Sequence, residues 1–213
     1  VSGIFIVFEG PEGSGKTTQA RRLATRVSAQ GRDVVLTREP GGTPIGEQVR
    51  TILLDQTNCA MLPETEALLY SAARAQHVGD VIRPALERGA VVICDRFADS
   101  TLAYQGGGRG LSMDDLRAIQ RLATGGLTPT LRILVDLPVE VGLRRRFGVE
   151  DEVNRLDVAG IEFHRRVRSA YLEMAALDQS WIVIDGDDSV DVVEERIVQT
   201  VARKTGLALA ASA

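Results

Sequence analysis

Gly10, Gly15, Lys16 and Thr17 stand in the order G-x-x-x-x-G-K-T, within the string Phe8-Glu9-Gly10-Pro11-Glu12-Gly13-Ser14-Gly15-Lys16-Thr17-Thr18. The chemistry open to that spacing is the holding of a polyphosphate. Glycines let the backbone curl until successive N–H groups point inward, and the positive end of a following helix faces the same hollow. Lys16 can then reach the outer phosphates, while the Thr17 hydroxyl is placed to ligate Mg²⁺. The apolar run Ile4 to Phe8 precedes the loop and Gln19-Ala20-Arg21-Arg22-Leu23-Ala24 follows it, so strand, loop and helix come in the order the pattern requires.

Further on, Ala90-Val91-Val92-Ile93-Cys94-Asp95-Arg96 is an apolar strand that ends in an acid. An aspartate there can hold Mg²⁺ or its water. Arg96 adds something that a self-hydrolysing NTPase does not need, a guanidinium aimed at a second phosphate. Three other groups admit two readings each. Arg38-Glu39-Pro40-Gly41-Gly42-Thr43-Pro44 follows a second buried strand, Asp33 to Thr37. It is either an acceptor-binding loop at the carboxyl end of a strand or a Pro-Gly turn with a solvated Arg38. Tyr70 and Arg74 lie one helical turn apart. They form either a wall that stacks and hydrogen-bonds a base or a packing pair. Arg144, Arg145 and Arg146 cannot all share one helix face. With Arg155 they are either a mobile lid that closes over phosphates or a solvated charged loop.

The elements that must position these groups follow from periodicity and punctuation. Helices are expected from the phosphate loop to about Gln30, over Gly46 to Leu54, Pro63 to Arg88, Ala98 to Gln105, Ser112 to Thr124, from Pro138 onward, Asp157 to Leu177 and Ser189 to Lys204. Gly106, Gly107 and Gly108 are expected to end the fourth of these, leaving Arg109 in a flexible loop. Strands are expected at Leu131 to Asp136 and Trp181 to Ile184. Five strands alternating with helices predict an α/β fold, a five-stranded parallel sheet covered on both faces, as one domain over residues 1–213 with a short lid at about 144–157.

Composition narrows the function. A net charge of −4 over 213 residues argues against a general nucleic-acid binder, and 44% hydrophobic with 25% charged residues is ordinary for a globular chain. Cys59 and Cys94 have no metal-ligand spacing, and Cys94 sits in an apolar run, so a reduced, cytoplasmic protein is expected. The first residues lack the pattern of a signal peptide and no apolar run approaches about 18 residues, so no membrane partner is expected. Leu207 to Ala213 is an Ala-rich end expected to fray.

Taken together, these pieces resemble the thymidylate kinases, particularly the bacterial type with a basic lid. The likeness extends over nearly the whole chain. It is carried by Glu9 to Thr17, Thr37 to Gly42, Tyr70 to Arg74, Asp95-Arg96, Ser100-Thr101, the string Ala103-Tyr104-Gln105-Gly106-Gly107-Gly108-Arg109-Gly110, and the arginine-rich lid. The resemblance implies a phosphate-loop nucleoside monophosphate kinase that transfers the γ-phosphoryl group of ATP to dTMP with Mg²⁺, and it implies a homodimer. Carried over by position, Gly10 to Thr18, Arg144 and Arg146 would hold ATP, and Thr17 and Asp95 the metal. Glu12, Arg38, Pro40, Tyr70, Arg74, Arg96, Ser100, Thr101, Tyr104 and Gln105 would hold dTMP, with Tyr70 stacking on thymine, Arg74 bonding its carbonyl and Tyr104 crowding the 2′ position. Lys16, Arg96, Asp95, Glu12 and Arg155 would carry the chemistry. The lid departs from the family pattern. It reads Arg-Arg-Arg-Phe-Gly and then Asn154-Arg155-Leu156-Asp157, so Arg155 is easily placed while the choice among Arg144, Arg145 and Arg146 stays open. Two rivals remain: a kinase for another acceptor, including a nucleoside whose hydroxyl Glu9 could deprotonate, and a nucleotide-dependent switch. An acceptor panel separates them.

Overall fold

The computed structural model describes residues 3–148, 154–157 and 159–209. In chain order the elements are β1 (Ile4–Glu9), α1 (Lys16–Ser28), β2 (Val34–Arg38), α2 (Pro44–Leu54), α3 (Pro63–His77), α4 (Arg83–Glu87), β3 (Val91–Asp95), α5 (Ala98–Thr101), α6 (Met113–Thr124), β4 (Leu131–Asp136), α7 (Val139–Phe147), α8 (Ile161–Leu177), β5 (Trp181–Asp185) and α9 (Val190–Thr205). The strands form one parallel sheet in the order β2-β3-β1-β4-β5. Both faces of the sheet are covered, which is why its central strands are apolar at successive positions. Ile6 and Phe8 face α1 and α9 with Ile93, Ile133, Val135, Leu23 and Val201. Phe5 and Val7 face the other way with Val92, Cys94, Phe97 and Ile82. A third cluster joins Leu134 to Tyr104, Phe163, Val167, Tyr171 and Trp181, and seats α8.

Parallel register brings the strand ends together. Phe8 and Arg38 both lie opposite Asp95, and Glu9 lies opposite Leu134. The loops after β1, β2 and β3 therefore open on one edge of the sheet, which is where open α/β sheets take their ligands.

Several boundaries differ from the sequence expectation, each for a local reason. Helix α2 starts at Pro44, two residues before Gly46, because Thr43 caps it by accepting the Gly46 N–H at 3.0 Å. The helix expected over Pro63 to Arg88 is continuous but widens into a π-helical turn at Val78–Ile82 between α3 and α4. Pro84 has no N–H to give to the preceding turn. The expectation that Gly106, Gly107 and Gly108 end a helix is corrected: α5 runs on into a π-helical segment, Leu102–Gly108, that contains all three. Packing explains their type. A Cβ on Gly107 would lie 2.6 Å from the Ala170 Cβ, and one on Gly108 2.5 Å from the Phe163 ring, so the bare backbone lets this segment lie against α8. Arg109 is likewise no loose loop residue, since its guanidinium donates to Glu66 at 3.2 Å and lies over the Phe163 ring. Helix α8 begins at Ile161, after a turn in which the Asp157 carboxylate accepts the Asn154 N–H at 2.8 Å. Of the expected lid, residues 149–153 lie outside the described residues. So do residues 210–213 of the Ala-rich end, whereas Leu207 is buried in the first cluster.

Candidate active site

The cleft at the carboxyl edge of the sheet has a volume of about 1050 Å³. It is lined by Glu12, Gly13, Gly15, Lys16, Thr17 and Thr18 on one side and by Arg38, Pro40, Tyr70, Ser100, Thr101, Tyr104 and Gln105 on the other, with Asp95 and Arg96 between them.

On the first side, Gly10, Gly13 and Gly15 all have positive φ, at 142°, 68° and 90°, the left-handed region that glycine enters without strain. Gly15 immediately precedes α1, so the helix starts at Lys16 with its N–H groups aimed into the loop. Lys16 Nζ lies folded back on its own loop, donating to the Pro11 carbonyl at 2.7 Å and to Ser14 Oγ at 3.3 Å. Burial and the nearby Arg96 guanidinium bring its ammonium down to about 8, against the pull of Glu12 and Asp95. Thr17 Oγ1 donates to Asp95 Oδ2 at the end of β3. This alcohol and carboxylate form an oxygen pair beside Lys16. No cluster of three or more His, Cys, Asp or Glu that could cage an ion exists among the described residues. The donor set fits a hard cation that brings phosphate and water as its other ligands.

Arg96 occupies the centre. It adopts φ 69°, the only non-glycine with positive φ among the described residues, and its N–H donates to the Phe8 carbonyl at 2.9 Å. This turn lifts the side chain out of the strand line and into the cleft. Its guanidinium donates to Glu12 Oε1 at 2.8 Å, the Tyr104 hydroxyl at 2.9 Å, the Gly10 carbonyl at 3.2 Å and the Tyr171 hydroxyl at 3.2 Å. It also stands over the Tyr104 ring, 4.9 Å from its centroid. Burial pushes the Glu12 carboxyl up, but Arg96 and Lys16 outweigh it and hold the group at about 2.

On the far side, Glu39 anchors the loop after β2. It is buried, accepting from Arg74 Nε at 2.7 Å and pairing with His77 Nδ1 at 3.0 Å. Arg38, half-exposed, pairs with Glu47 at 3.0 Å. Arg74 is placed differently from the sequence expectation. Its side chain is 1% exposed and donates to Glu39, to Gln120, to Thr101 Oγ1 at 3.0 Å and to the Phe97 carbonyl at 2.9 Å. It lies behind the wall on which Thr101 stands rather than on the wall itself. Tyr70 lines the cleft, and burial raises its phenol.

The arginines of the expected lid also divide. Arg145 and Arg146 line the cleft, while Arg144 is exposed and does not. Arg145 donates to the Gly186 carbonyl at 3.1 Å and to Asp187 at 3.0 Å, and Arg146 Nε donates to Asp157 at 3.0 Å. Adjacent helical residues lie about 100° apart, so only part of such a run can turn inward. Arg155 is buried away from the cleft, donating to the Leu53 carbonyl at 3.2 Å and to Glu66. A carboxylate as buried as Glu66 needs cations, and Arg155 and Arg109 supply them. Among the arginines lining the cleft, Arg50 escaped the sequence reading, while Arg145 was one of the three lid candidates left open and not one of the two carried over as ATP ligands. Arg50 donates to the Pro40 carbonyl at 2.9 Å. The available signal was its place one turn after Gly46, whose bare face sits against the Gly41 carbonyl. Gly10, Pro11 and Ser14 lie behind the phosphate-loop wall, where they receive Arg96 and Lys16.

A family model described as thymidylate kinase matches residues 8–197. The chain is 55% identical over 198 residues to a thymidylate kinase of Thermomicrobium roseum, covering 92% of this chain and 93% of that protein. It is 50% identical over 207 residues to one of Geotalea uraniireducens, covering 93% and 96%, and 50% identical over 198 residues to one of Pseudomonas putida, covering 92% and 94%.

Proposed function

We propose a division of labour within the cleft, proceeding from the fact that the chain belongs to the thymidylate kinase family. The enzyme transfers the γ-phosphoryl group of ATP to dTMP, giving dTDP. Lys16 and the amides of Gly13 to Thr18 hold the phosphates of ATP, joined by Arg145 and Arg146. Arg96 and Arg38 take the phosphate of dTMP. Tyr70 stacks on thymine, Thr101 and Gln105 border the base and sugar, and Tyr104 fills the space beside the 2′ carbon. Arg74 holds Thr101 in place. Glu12 serves the acceptor sugar's 3′-hydroxyl once Arg96 has turned to phosphate. Mg²⁺ would be held by Thr17 and Asp95, and when bound it draws negative charge from the transferred group.

The observation that carries this reading is the position of Arg96, whose guanidinium spans the Gly10 carbonyl of the phosphate loop and the Tyr104 hydroxyl of the opposite wall. A cation there meets both phosphates at once. The acceptor is already an anion at neutral pH, so its oxygen needs no general base. The work is to bring two polyanions together and to stabilise charge on the group in flight, in a site that excludes water.

A coupled assay with ATP and, in turn, dTMP, dUMP, the ribose analogue of dTMP and thymidine tests the assignment. The expected order is dTMP first, the ribose analogue strongly disfavoured by Tyr104, and thymidine inert. Turnover of thymidine equal to that of dTMP would move the second site to a nucleoside and Glu9 into the role of base. The unit is read as one domain with its lid at about 144–157, working as a homodimer in the cytoplasm. That setting suits a chain with two free cysteines and, among its described residues, no helix long and apolar enough to cross a membrane.

A further inference from the structure

Glu9 ends β1 one residue before the phosphate loop, is fully buried, and lines no part of the cleft. Nothing in the phosphoryl transfer above uses it, yet it is the most heavily bonded carboxylate near Arg96. Its Oε1 accepts the Phe97 N–H at 2.9 Å. Its Oε2 accepts the Ser100 hydroxyl at 2.6 Å and the Tyr171 hydroxyl at 2.7 Å. Those same two oxygens receive Arg96, at 3.4 Å from Ser100 Oγ and 3.2 Å from the Tyr171 hydroxyl.

The direction of the hydroxyl protons is what matters. A hydroxyl has one proton to give and lone pairs to accept with. While Glu9 is a carboxylate it can only accept, so it draws both protons toward itself and leaves both oxygens turned toward the guanidinium. A neutral group at position 9 that donates would send at least one proton the other way, against the cation. We propose that Glu9 is a positioning residue for phosphoryl transfer, one that aims Arg96 through the Ser100 and Tyr171 hydroxyls without touching either nucleotide. This rests on the assignment of Arg96 to the acceptor phosphate.

The group is also poised to lose that role. Burial, then the neighbouring Asp99 charge, raises its carboxyl to about 7, against Ser100, Arg96 and Tyr171, which favour the ion. Asp99 and Ser100 face it from α5, Tyr171 from α8, and Arg96 from the end of β3, while Lys16 in α1 and Cys94 in β3 feel its charge.

The test is the ratio of wild-type to Glu9→Gln turnover, measured from pH 5.5 to 9 at saturating ATP and dTMP. The second ionisation of the dTMP phosphate affects both enzymes and cancels. Above pH 8 the variant is expected to be slower by about 10- to 100-fold, the range for a misdirected hydrogen bond to a charged group. The ratio falls toward one below pH 6, where wild-type Glu9 is itself protonated. The KM for ATP, compared at pH 7 where Lys16 keeps its proton, stays within about twofold, since the bonds of Glu9 go to Phe97, Ser100 and Tyr171 while those of Lys16 go to Pro11 and Ser14. Tyr171→Phe removes one of the two relays. It should cost less than Glu9→Gln and add little in the double variant, because both act on one path. A ratio that does not change with pH, or full turnover in Glu9→Gln at pH 8, overturns the inference. If Glu9→Gln fails to fold, unchanged turnover in Tyr171→Phe does so. Should Arg96→Ala also keep full turnover with dTMP, the assignment of Arg96 itself fails; a normal Glu9→Gln beside a dead Arg96→Ala sinks only the relay.

Discussion

Residue by residue, the cleft is a set of charges already satisfied by the protein itself. In the proposed assignment Arg96 is the residue on which the transfer depends most, because its guanidinium reaches from the Gly10 carbonyl on one wall to the Tyr104 hydroxyl on the other. Arg96→Ala is expected to lower kcat by about 10³-fold or more, while ATP binding followed by calorimetry persists. Turnover within tenfold of wild type would remove Arg96 from the transition state. Glu9 supplies a stability prediction with a definite sign. Its carboxyl rises from 4.5 to about 7 on folding, so the folded state holds the proton more tightly than the unfolded chain. The stabilisation from that proton is complete below about 4.5 and is lost as pH climbs through about 7. Glu9→Gln, which needs no ionisation, should match the wild-type Tm at pH 5 and exceed it at pH 8. A lower Tm for the variant at both pH values would contradict this. The residues that the sequence placed together and that do line the cleft are those whose position is fixed by neighbours in the chain: Lys16, Thr17, Asp95 and Arg96 lie within strand-end motifs. Arg74 and Arg155 were harder. Their environment is set by Glu39 and Glu66, partners 35 and 89 residues away, and a buried carboxylate far along the chain leaves no local trace.

At the level of elements, the phosphate loop and α7 are in direct backbone contact. A Cβ on Gly142 of α7 would come within 2.3 Å of the Glu12 carbonyl, and one on Gly13 within 2.0 Å of the Gly142 carbonyl. The helix that carries Arg144, Arg145 and Arg146 thus rests on the phosphate loop itself. Gly142→Ala should push the two apart. The expected result is a KM for ATP raised by about tenfold or more with the KM for dTMP changed less, since a misplacement of this order disturbs the donor side alone. Equal effects on both constants would place the strain elsewhere. Strands and helix existence were legible because apolar runs and caps such as Ser112 and Ser189 are written locally. The extension through Gly106, Gly107 and Gly108 was not. Three glycines read as a break until α8 supplies the surface they fit.

Across the whole molecule, the parallel order β2-β3-β1-β4-β5 places the ends of β1, β2 and β3 side by side, so the loops after β1 and β2 flank one strand. The parallel sheet follows from alternation of strands and helices; the order of its strands does not. What lies outside the sheet is less marked in the sequence. Ile45 on α2, Leu68 on α3 and Leu122 on α6 are 53%, 55% and 85% exposed, on helices that pack in succession. These residues are where a second copy would be buried in the proposed homodimer. Sedimentation should give a species of twice 23.0 kDa, reverting to the single mass in the double variant Leu68→Glu, Leu122→Glu. A wild-type chain that sediments at the single mass at micromolar concentration would dismiss the dimer.

The Glu12–Arg96 ion pair and the Lys16–Pro11 contact have a last consequence for ligand design. In the proposed assignment each substrate tail arrives as a replacement for an internal stand-in, so recognition there is an exchange of partners rather than the filling of an empty socket. A thymidine mimic that brings no anion leaves the Glu12 bracket closed and gains only from stacking. One that carries a compact acidic group in place of the phosphate can open it.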